Sequence, residues 1–420
     1  MPRPPRTSVT FTVRGHPAFA ATHAKTLEFT RDPEISRRAT CVLGTASDHV
    51  DAELLRLRGE VEVELACGGE SDRFRATVTP FYCGADSLVF RRGPALRART
   101  FAGGATTGAA GIDRALVSAA ASRDAEITVT ITETGAPAPP GALFVVALPI
   151  GAGNDLAPRA RRVLGAADTV LAEDTRRFRD LARRTGLEVA GRVESLHEHN
   201  EAERVAAALA ALGTGARVAL VSDAGTPLCS DPGYLVVRAA AEADIPVVPV
   251  PGPSAVLAAV SAAGLPVDRF VYVGYHPRRA AARRAELRRL AAGAVTFVCH
   301  ESPHRVAAFL DDLVAECPDW QICVGREMTK VFEEFHRGSP AELVAGLAGR
   351  EPRGEHTFVV APPPGADAPA VESAGIDERL VRALLAEGVS PRTIATALAA
   401  LPGVSRRDAY ARVLELAGRA

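Results

Sequence analysis

The sequence predicts an α/β protein that carries a small α+β domain before its central region and a helical domain after it. Three observations lead there. Two proline-rich segments, residues 136–141 and 361–374, punctuate the chain and divide it into pieces of ordinary domain size. The piece between them interleaves nearly continuous apolar runs with amphipathic segments rich in alanine and arginine, the pattern of strands buried on both faces between helices. The last piece repeats its apolar residues at helical spacing.

Residues 1–135 alternate apolar and polar side chains at Phe11/Val13, Val61/Val63/Leu65 and Ile127/Val129/Ile131, the period of half-buried strands. One helix is expected from about Thr106 to Ser122, and His23 and Lys25 are expected on one face of a strand with Thr26 and Glu28 on the other. In the middle piece the runs 143–148, 218–221, 245–250 and 294–298 are read as strands of a mostly parallel sheet. In residues 375–420, Leu380/Leu384/Leu385, Ile394/Leu398/Leu401 and Ala409/Val413/Leu416 mark three helices. Ser390 before Pro391 and Ser405 before Arg406 are good helix starts, which gives a helix-turn-helix appearance.

At 420 residues with 47% hydrophobic and 24% charged side chains, the chain buries a large core. Lysine plus arginine (49) nearly cancels aspartate plus glutamate (50), so nucleic acid binding would have to use a local patch. Seven scattered cysteines without a CxxC pair suit a reducing cytoplasm, and MPRPPRTSV lacks the apolar core of a secretory signal. The uncharged stretch 245–267 is long enough to span a bilayer, but five prolines interrupt it, so no membrane association is expected.

Glycine- and proline-rich turns follow the buried runs: Pro149-Ile150-Gly151-Ala152-Gly153, Ser222-Asp223-Ala224-Gly225-Thr226-Pro227, Ser230-Asp231-Pro232-Gly233 and Pro251-Gly252-Pro253-Ser254. At the carboxyl ends of parallel strands, such turns let backbone groups approach a small ligand; a single one is as readily an ordinary tight turn. The dinucleotide fingerprint GxGxxG is absent after the first strand of this piece, which disfavours a nicotinamide site. Charges gather after other apolar runs, in Glu173-Asp174-Thr175-Arg176, His197-Glu198-His199-Asn200, Glu301-Ser302-Pro303-His304-Arg305 and Arg326-Glu327-Met328-Thr329-Lys330. Such clusters of charge suit contact with a polar or anionic substrate, and one of their groups is suited to proton transfer. Six arginines, among them Arg278, Arg279 and Arg283, crowd residues 278–289 beside the single acid Glu286, which suits either phosphate contact or a solvated helix. His300-Glu301-Ser302-Pro303-His304 matches HExxH literally, but Pro303 and the preceding strand forbid the helix a zinc site needs, and no metal is expected.

The segments ALPIGAGNDLAPRA, LAEDTRR, HEHNE, SDAGTPLCSDPGY, PVPGPSA, ESPHR and REMTK, in that order from Ala142 to about Val360, resemble the tetrapyrrole-methylase superfamily, and within it the 16S rRNA (cytidine-2′-O)-methyltransferase branch. The resemblance implies a two-lobed α/β methyltransferase, with lobes at 142–265 and 266–360, that binds S-adenosylmethionine between them, usually as a homodimer. It also implies methyl transfer to the ribose 2′-hydroxyl of a cytidine in the 16S rRNA of the small ribosomal subunit. On that likeness Pro149, Gly151, Asp223, Ala224, Gly225, Thr226, Pro251, Gly252, Pro253 and Ser254 line the cofactor site, with Asp223 equally able to serve as a turn former. Glu327, Lys330 and His199 are the candidates for catalysis, against the alternative of structural ion pairs or, for Lys330, a solvated surface group. Glu173, Asp174, Arg176, Glu198, Asn200, Arg278, Arg279, Arg283, Glu301, His304, Arg305 and Arg326 are the candidates for holding substrate.

Leu148, Ala152 and His300 depart from the branch pattern, in which threonine, asparagine and an aromatic are usual, so polar contacts near the cofactor are expected to be fewer. Arg14-Gly15-His16-Pro17 and the segment 21–30 look like an uncharacterised domain-of-unknown-function family, which implies no activity. Two other readings of the fold are a methylase acting on a precorrin or a protein side chain, and a non-catalytic RNA-binding assembly factor. HEHNE, ESPHR, REMTK and the C-terminal helices argue against the first, and S-adenosylmethionine binding discriminates the second.

Overall fold

The computed structural model describes residues 7–84, 86–94, 100–197, 200–347, 353–363, 378–399 and 406–418. The chain forms two compact units, Met1–Ala255 and Val256–Ala420.

The first unit opens with β1 (Ser8–Arg14), β2 (Thr26–Thr30), β3 (Val42–Gly44), α1 (Asp51–Leu54), β4 (Glu60–Cys67), β5 (Glu70–Val78), β6 (Ser87–Arg91), β7 (Ala102–Gly103), α2 (Arg114–Ala119) and β8 (Glu126–Glu133). The strands form one sheet in the order β1-β8-β4-β5-β7-β6-β2-β3. Along β4 every second side chain is buried, as the alternation requires. The covered face is built on Phe11, Phe29, Phe74, Phe90 and Phe101, whose rings meet edge to face at centroid distances of 5.2 to 6.1 Å. The helix expected over 106–122 shrinks to α2, because Gly108 packs where a Cβ would lie 2.6 Å from the Ala24 carbonyl and Asp113 caps the chain afresh through the Ala115 amide. His23 and Lys25 precede β2 rather than lying on it, since the His23 ring accepts the Lys25 amide and turns the backbone there.

The same unit continues with β9 (Ala142–Val146), α3 (Pro158–Ala166), β10 (Thr169–Ala172), α4 (Thr175–Thr185), β11 (Arg192–Ser195), α5 (Glu201–Gly213), β12 (Arg217–Val221), α6 (Tyr234–Glu242) and β13 (Val247–Val250). Its sheet, β11-β10-β12-β9-β13, is parallel throughout. On one face Phe144, Ala219 and Val221 meet Val163, Leu164 and Phe178; on the other Leu143, Val218 and Leu220 meet Ala208, Leu212 and Val236. Helices on both faces explain why these strands read as unbroken apolar runs.

The N-terminal sheet docks at the amino edge of the parallel sheet. Arg217, at the start of β12, is buried and donates from Nη1 to the Leu55 carbonyl at 2.7 Å, while its amide goes to Asp168, which also pairs with Arg58 at 3.2 Å. Burial, then the charge of Arg58, pulls the Arg217 pKa down to about 9. Arg162 on α3 donates to the Cys83 carbonyl at 3.0 Å, and Cys83 joins the α3 core. The proline-rich segment runs packed between Gly59 and Gly215, each too close to it for a Cβ without adjustment.

The second unit contains α7 (Ala255–Ala263), β14 (Phe270–Tyr275), α8 (Ala280–Ala292), β15 (Thr296–Glu301), α9 (Val306–Glu316), β16 (Gln321–Arg326), β17 (Glu334–Gly338), α10 (Pro340–Leu347) and β18 (His356–Ala361). The sheet order is β14-β15-β18-β16-β17, and only β14 and β15 are parallel. The expected mostly parallel sheet therefore holds for the first unit and not for the second, where β16 and β17 form a hairpin and β18 returns between β15 and β16. Three helices follow, α11 (Glu378–Ala386), α12 (Pro391–Leu398) and α13 (Arg406–Leu416), around Val381, Ile394, Leu398, Ala409 and Val413. Ser390 caps α12 by accepting from the Thr393 amide at 3.2 Å, whereas Ser405 lies outside the described residues.

Candidate cofactor and acceptor site

At the carboxyl edge of the parallel sheet, three of the four turns meet. They leave β12, β9 and β13, which are neighbours, so the topology alone brings them together. Leu148 and Gly225 exchange amide-to-carbonyl bonds at 2.8 and 3.0 Å. Gly225 sits at φ +75°, a conformation that favours glycine, and a Cβ there would meet Ile150 at 3.3 Å. Thr226 donates its hydroxyl to the Pro253 carbonyl at 3.0 Å, and Gly252 lies against Ala147. Pro149 is buried, while Ala224, Pro251 and Gly252 are exposed and Gly151, Asp223, Thr226, Pro253 and Ser254 are half-buried. Leu148 contributes main chain to the junction and buries its side chain in the core, so the absence of a hydroxyl there leaves the Gly225 bridge intact.

A carboxylate group borders this junction. Asp174 caps α4 by accepting from the Arg176 and Arg177 amides, and its pairing with the Arg176 side chain holds it below the usual carboxylate range. Asp223 accepts from the Asp174 amide at 3.0 Å and from Arg177 at 2.8 Å, and its own amide donates to Glu173 at 3.3 Å. Burial, then the Asp223 charge, pushes Glu173 up. Asp231 is pushed up to about 6, by burial first and then by Glu173 and Asp223, against a hydrogen bond from Ser222. Leu228 and Ser230, just before Asp231, take left-handed φ of +72° and +74°. Sequence reasoning placed Asp231 in a turn and missed it as a titrating group; its proximity to Glu173 is tertiary.

The neighbouring acceptor segment is only partly available. Glu198 and His199 lie outside the described residues. Asn200 spends both ends of its amide on the local turn, accepting from the His197 amide at 2.8 Å and donating to the Ser195 carbonyl at 3.1 Å. Glu201 is buried and accepts from the Gly233 and Leu235 amides, which ties α5 to the start of α6.

The second unit gathers the other candidates and redirects several. Arg283 is buried, with Asp312 at 2.5 Å, and Arg284 shares that carboxylate, so Arg283 faces the interior of its unit rather than phosphate. Glu301 is buried, accepts from the Ser302 amide and pairs with Arg305 at 3.0 Å; Arg305 also donates to the His276 carbonyl. Both are thereby committed to the β15–α9 turn. Arg278, Arg279 and His304 are exposed, and their side chains have no hydrogen-bond or ion-pair partner among the described residues. His300 ends in a strand, its ring against Tyr272 and Tyr275 and its Nδ1 3.0 Å from the Thr357 hydroxyl.

Glu327 and Lys330 do come together, at 3.0 Å, with Glu355 2.9 Å from the same ammonium. Glu327 holds φ +48° and accepts the Glu355 amide at 2.9 Å. Burial works against both charges, but the Glu355 amide and Lys330 hold Glu327 below its ordinary value, and the two carboxylates raise Lys330. Near neutral pH this is a carboxylate–ammonium pair, suited to holding a polar group and poorly suited to taking a proton. Arg326 donates to the Arg353 carbonyl at 2.7 Å and pairs with Glu334.

The first unit's edge fits an adenosyl sulfonium: exposed main chain for the adenine, and carboxylates whose negative field and acceptor oxygens suit a cation and a ribose diol. Residues 142–344 match the sequence profile of the Tetrapyrrole (Corrin/Porphyrin) Methylases, and residues 11–134 that of a domain of unknown function, DUF371. The chain belongs to the tetrapyrrole methylase family, whose members are S-adenosylmethionine-dependent methyltransferases. It is 44% identical over 277 residues to ribosomal RNA small subunit methyltransferase I of Mycobacterium tuberculosis (strain ATCC 25618 / H37Rv), covering 66% of this chain and 95% of that one. To the protein of the same name from Micromonospora olivasterospora it is 42% identical over 274 residues, 65% of this chain and 86% of the relative. Among solved structures, uroporphyrin-III C-methyltransferase from Thermus thermophilus complexed with S-adenyl homocysteine aligns at 20% identity and a TM-score of 0.39, over 53% of this chain and 97% of that one.

Proposed function

We propose that this methyltransferase modifies the ribose 2′-hydroxyl of a cytidine in 16S rRNA of the small ribosomal subunit. The observation that carries the reading is the junction of the turns after β9, β12 and β13, at the strand ends where a cofactor binds in parallel sheets, in a chain so similar to small subunit rRNA methyltransferases. Residues Gly151, Asp223 to Thr226 and Pro251 to Ser254 would hold S-adenosylmethionine, with Pro149 fixing the first turn from beneath. The bound cofactor supplies an electrophilic methyl carbon. The hydroxyl proton then needs an acceptor, and Asp231, ionised above about pH 6, is the group of this unit best poised to take it near neutral pH. Glu327 and Lys330, with Arg278, Arg279 and His304, all in the second unit, are proposed as contacts to the RNA.

A homodimer is part of the proposal: the edge strand β14 exposes Val271 and Tyr275, and Val331 and Phe332 are exposed in the same unit. A cytoplasmic location follows from the ribosomal substrate and suits seven free thiols; among the described residues no helix is long and apolar enough to cross a membrane. The test is transfer of labelled methyl from S-adenosylmethionine to small subunits isolated from a strain lacking the enzyme, with ribose methylation mapped by nucleotide. Label on a single 16S cytidine is the expected result. Label on a base, on protein, or nowhere while the cofactor still binds would overturn the assignment.

A further inference from the structure

In the N-terminal domain, several cations elsewhere on the surface are matched by acids across the sheet or the adjoining loops, although Arg56 is exposed without an acid partner among the described residues and Arg114 donates to main-chain carbonyls. Arg73 pairs with Glu64 at 2.9 Å, Arg75 lies 3.7 Å from Glu62, Arg14 3.3 Å from Glu126, and Arg123 2.7 Å from Glu34. One corner collects unmatched cations. Lys25, Arg37, Arg38, Arg91 and Arg92 are all exposed, and none has a carboxylate partner among the described residues.

The backbone brings these five together. The Arg92 amide donates to the Lys25 carbonyl at 3.0 Å, and Thr26 pairs with Arg91 across β2 and β6. The loop leaving the far end of β2 runs back along that strand: the His23 amide donates to the Thr40 carbonyl at 3.1 Å, and the Glu28 amide to the Cys41 carbonyl at 3.0 Å. That return delivers Arg37 and Arg38 to the corner that already holds Lys25, Arg91 and Arg92. Of the acids on these segments, Glu28 is half-buried and accepts from the Cys41 thiol at 3.4 Å, while Glu34 of the returning loop is taken by Arg123 and Asp32 stands at its start, beside the far end of β2. Asp86 is bound to the other end of β2 through the Arg31 amide, roughly 16 Å away at the strand rise. Five cations without carboxylate partners, carried on segments that the backbone places side by side, disfavour the free protein and favour a polyanion at the same place.

We propose that this corner is a docking surface for the phosphate backbone of RNA, a second RNA contact lying on the N-terminal domain and outside the methyltransferase lobes. The inference rests on the ribosomal RNA reading above. Because the domain is fixed to the amino edge of the parallel sheet by Arg217 and Arg58, an RNA held at the corner is held in a set relation to the carboxyl-edge turns of the same unit.

The test uses the full chain with Lys25→Ala, Arg38→Ala, Arg91→Ala and Arg92→Ala combined, and filter binding to protein-free 16S rRNA and to small subunits over a salt series. Each lost phosphate contact should flatten the plot of log affinity against log salt by about 0.7 to 0.9, so the combined variant should lose roughly 3 in slope and on the order of tenfold or more in affinity at low salt. S-adenosylmethionine affinity should not move. Arg73→Ala with Arg75→Ala, which removes matched cations, should leave the slope alone, and Arg91→Lys with Arg92→Lys should keep it. An unchanged slope in the combined variant overturns the proposal. So does loss of binding to small subunits with RNA binding intact, which would point to an acidic protein surface instead. Failure of the wild type to methylate small subunits would sink the ribosomal reading separately, and the salt slope would still report on the corner.

Discussion

Asp231→Asn should make the protein more stable and less active, and the two effects should part company with pH. Asp231 rises from an ordinary 3.8 to about 6 on folding, a change that undiluted would correspond to ~3 kcal/mol of destabilisation when the group is ionised. Solvent reaches part of the side chain, so about half of that, ~1.5 kcal/mol, is the better expectation. The sign is the reverse of a salt-bridged aspartate. With the folded pKa raised above the unfolded one, the penalty is complete above pH ~7, is about halved by pH ~5, and is gone below the unfolded value. Asparagine keeps the shape and carries no charge at any pH. Urea unfolding of the first unit should therefore favour Asp231→Asn by ~1 to 2 kcal/mol at pH 8, with the gap closing as pH falls to 5. Methyl transfer by the wild type should decline as pH drops through 6, whereas Asp231→Asn should be slow and flat over that range. An asparagine variant that is less stable at pH 8, or that keeps the wild-type rate and pH profile, would refute the assignment of Asp231 as proton acceptor.

Gly225→Val forces a side chain into a left-handed position, at ~1 to 2 kcal/mol, and onto Ile150; calorimetry should show S-adenosylmethionine binding weakened at least ~10-fold, with a melting temperature only a few degrees lower. Arg217→Met removes a buried guanidinium whose Nε and Nη2 have no partner and replaces it with a chain of similar length; the first unit should melt at the same or a higher temperature, since buried charge exchanged for apolar volume is often neutral or stabilising. Arg283→Ala leaves the buried Asp312 with only the half-exposed Arg284 as partner and should cost ~1 to 3 kcal/mol in denaturant unfolding of the second unit, less than for a fully orphaned charge, while RNA affinity of the folded protein stays unchanged.

What the sequence disclosed was what local pattern can carry. The parallel strands β9, β12 and β13 were legible because burial on both faces leaves an unbroken apolar run, and their glycine-rich exits were legible because turns have their own chemistry. Strand direction in the second unit was not, since β15, β16 and β18 look alike whether they run parallel or antiparallel. The arginines of α8 show the same limit. Nothing local separates Arg283 from Arg279; the difference is Asp312 on α9, which fixes one inside and leaves the other exposed. Asp231 is pushed up to about 6 by burial first and then by the charge of Glu173, which follows β10, and neither cause is visible in the local sequence.

The placement of the N-terminal domain has a consequence for how the chain works. In a parallel sheet the carboxyl ends carry the ligand turns, so the amino edge is the one place where a fused domain can dock without obstructing chemistry. Arg217 at the head of β12 and Asp168 just before β10 occupy that edge, and both are spent on the N-terminal domain. A domain tethered only by a flexible linker would raise the local concentration of its ligand and nothing more. Here the proline-rich segment is packed against Gly59 and Gly215, and a buried arginine spans the joint, so the two sheets are joined by packed contacts rather than by a bare tether. Loosening the joint without unfolding either sheet, as Arg58→Ala would by releasing Asp168, should leave cofactor binding intact and lower methylation of small subunits through a higher KM. A change in kcat alone would mean that the joint serves folding and has no part in presenting RNA.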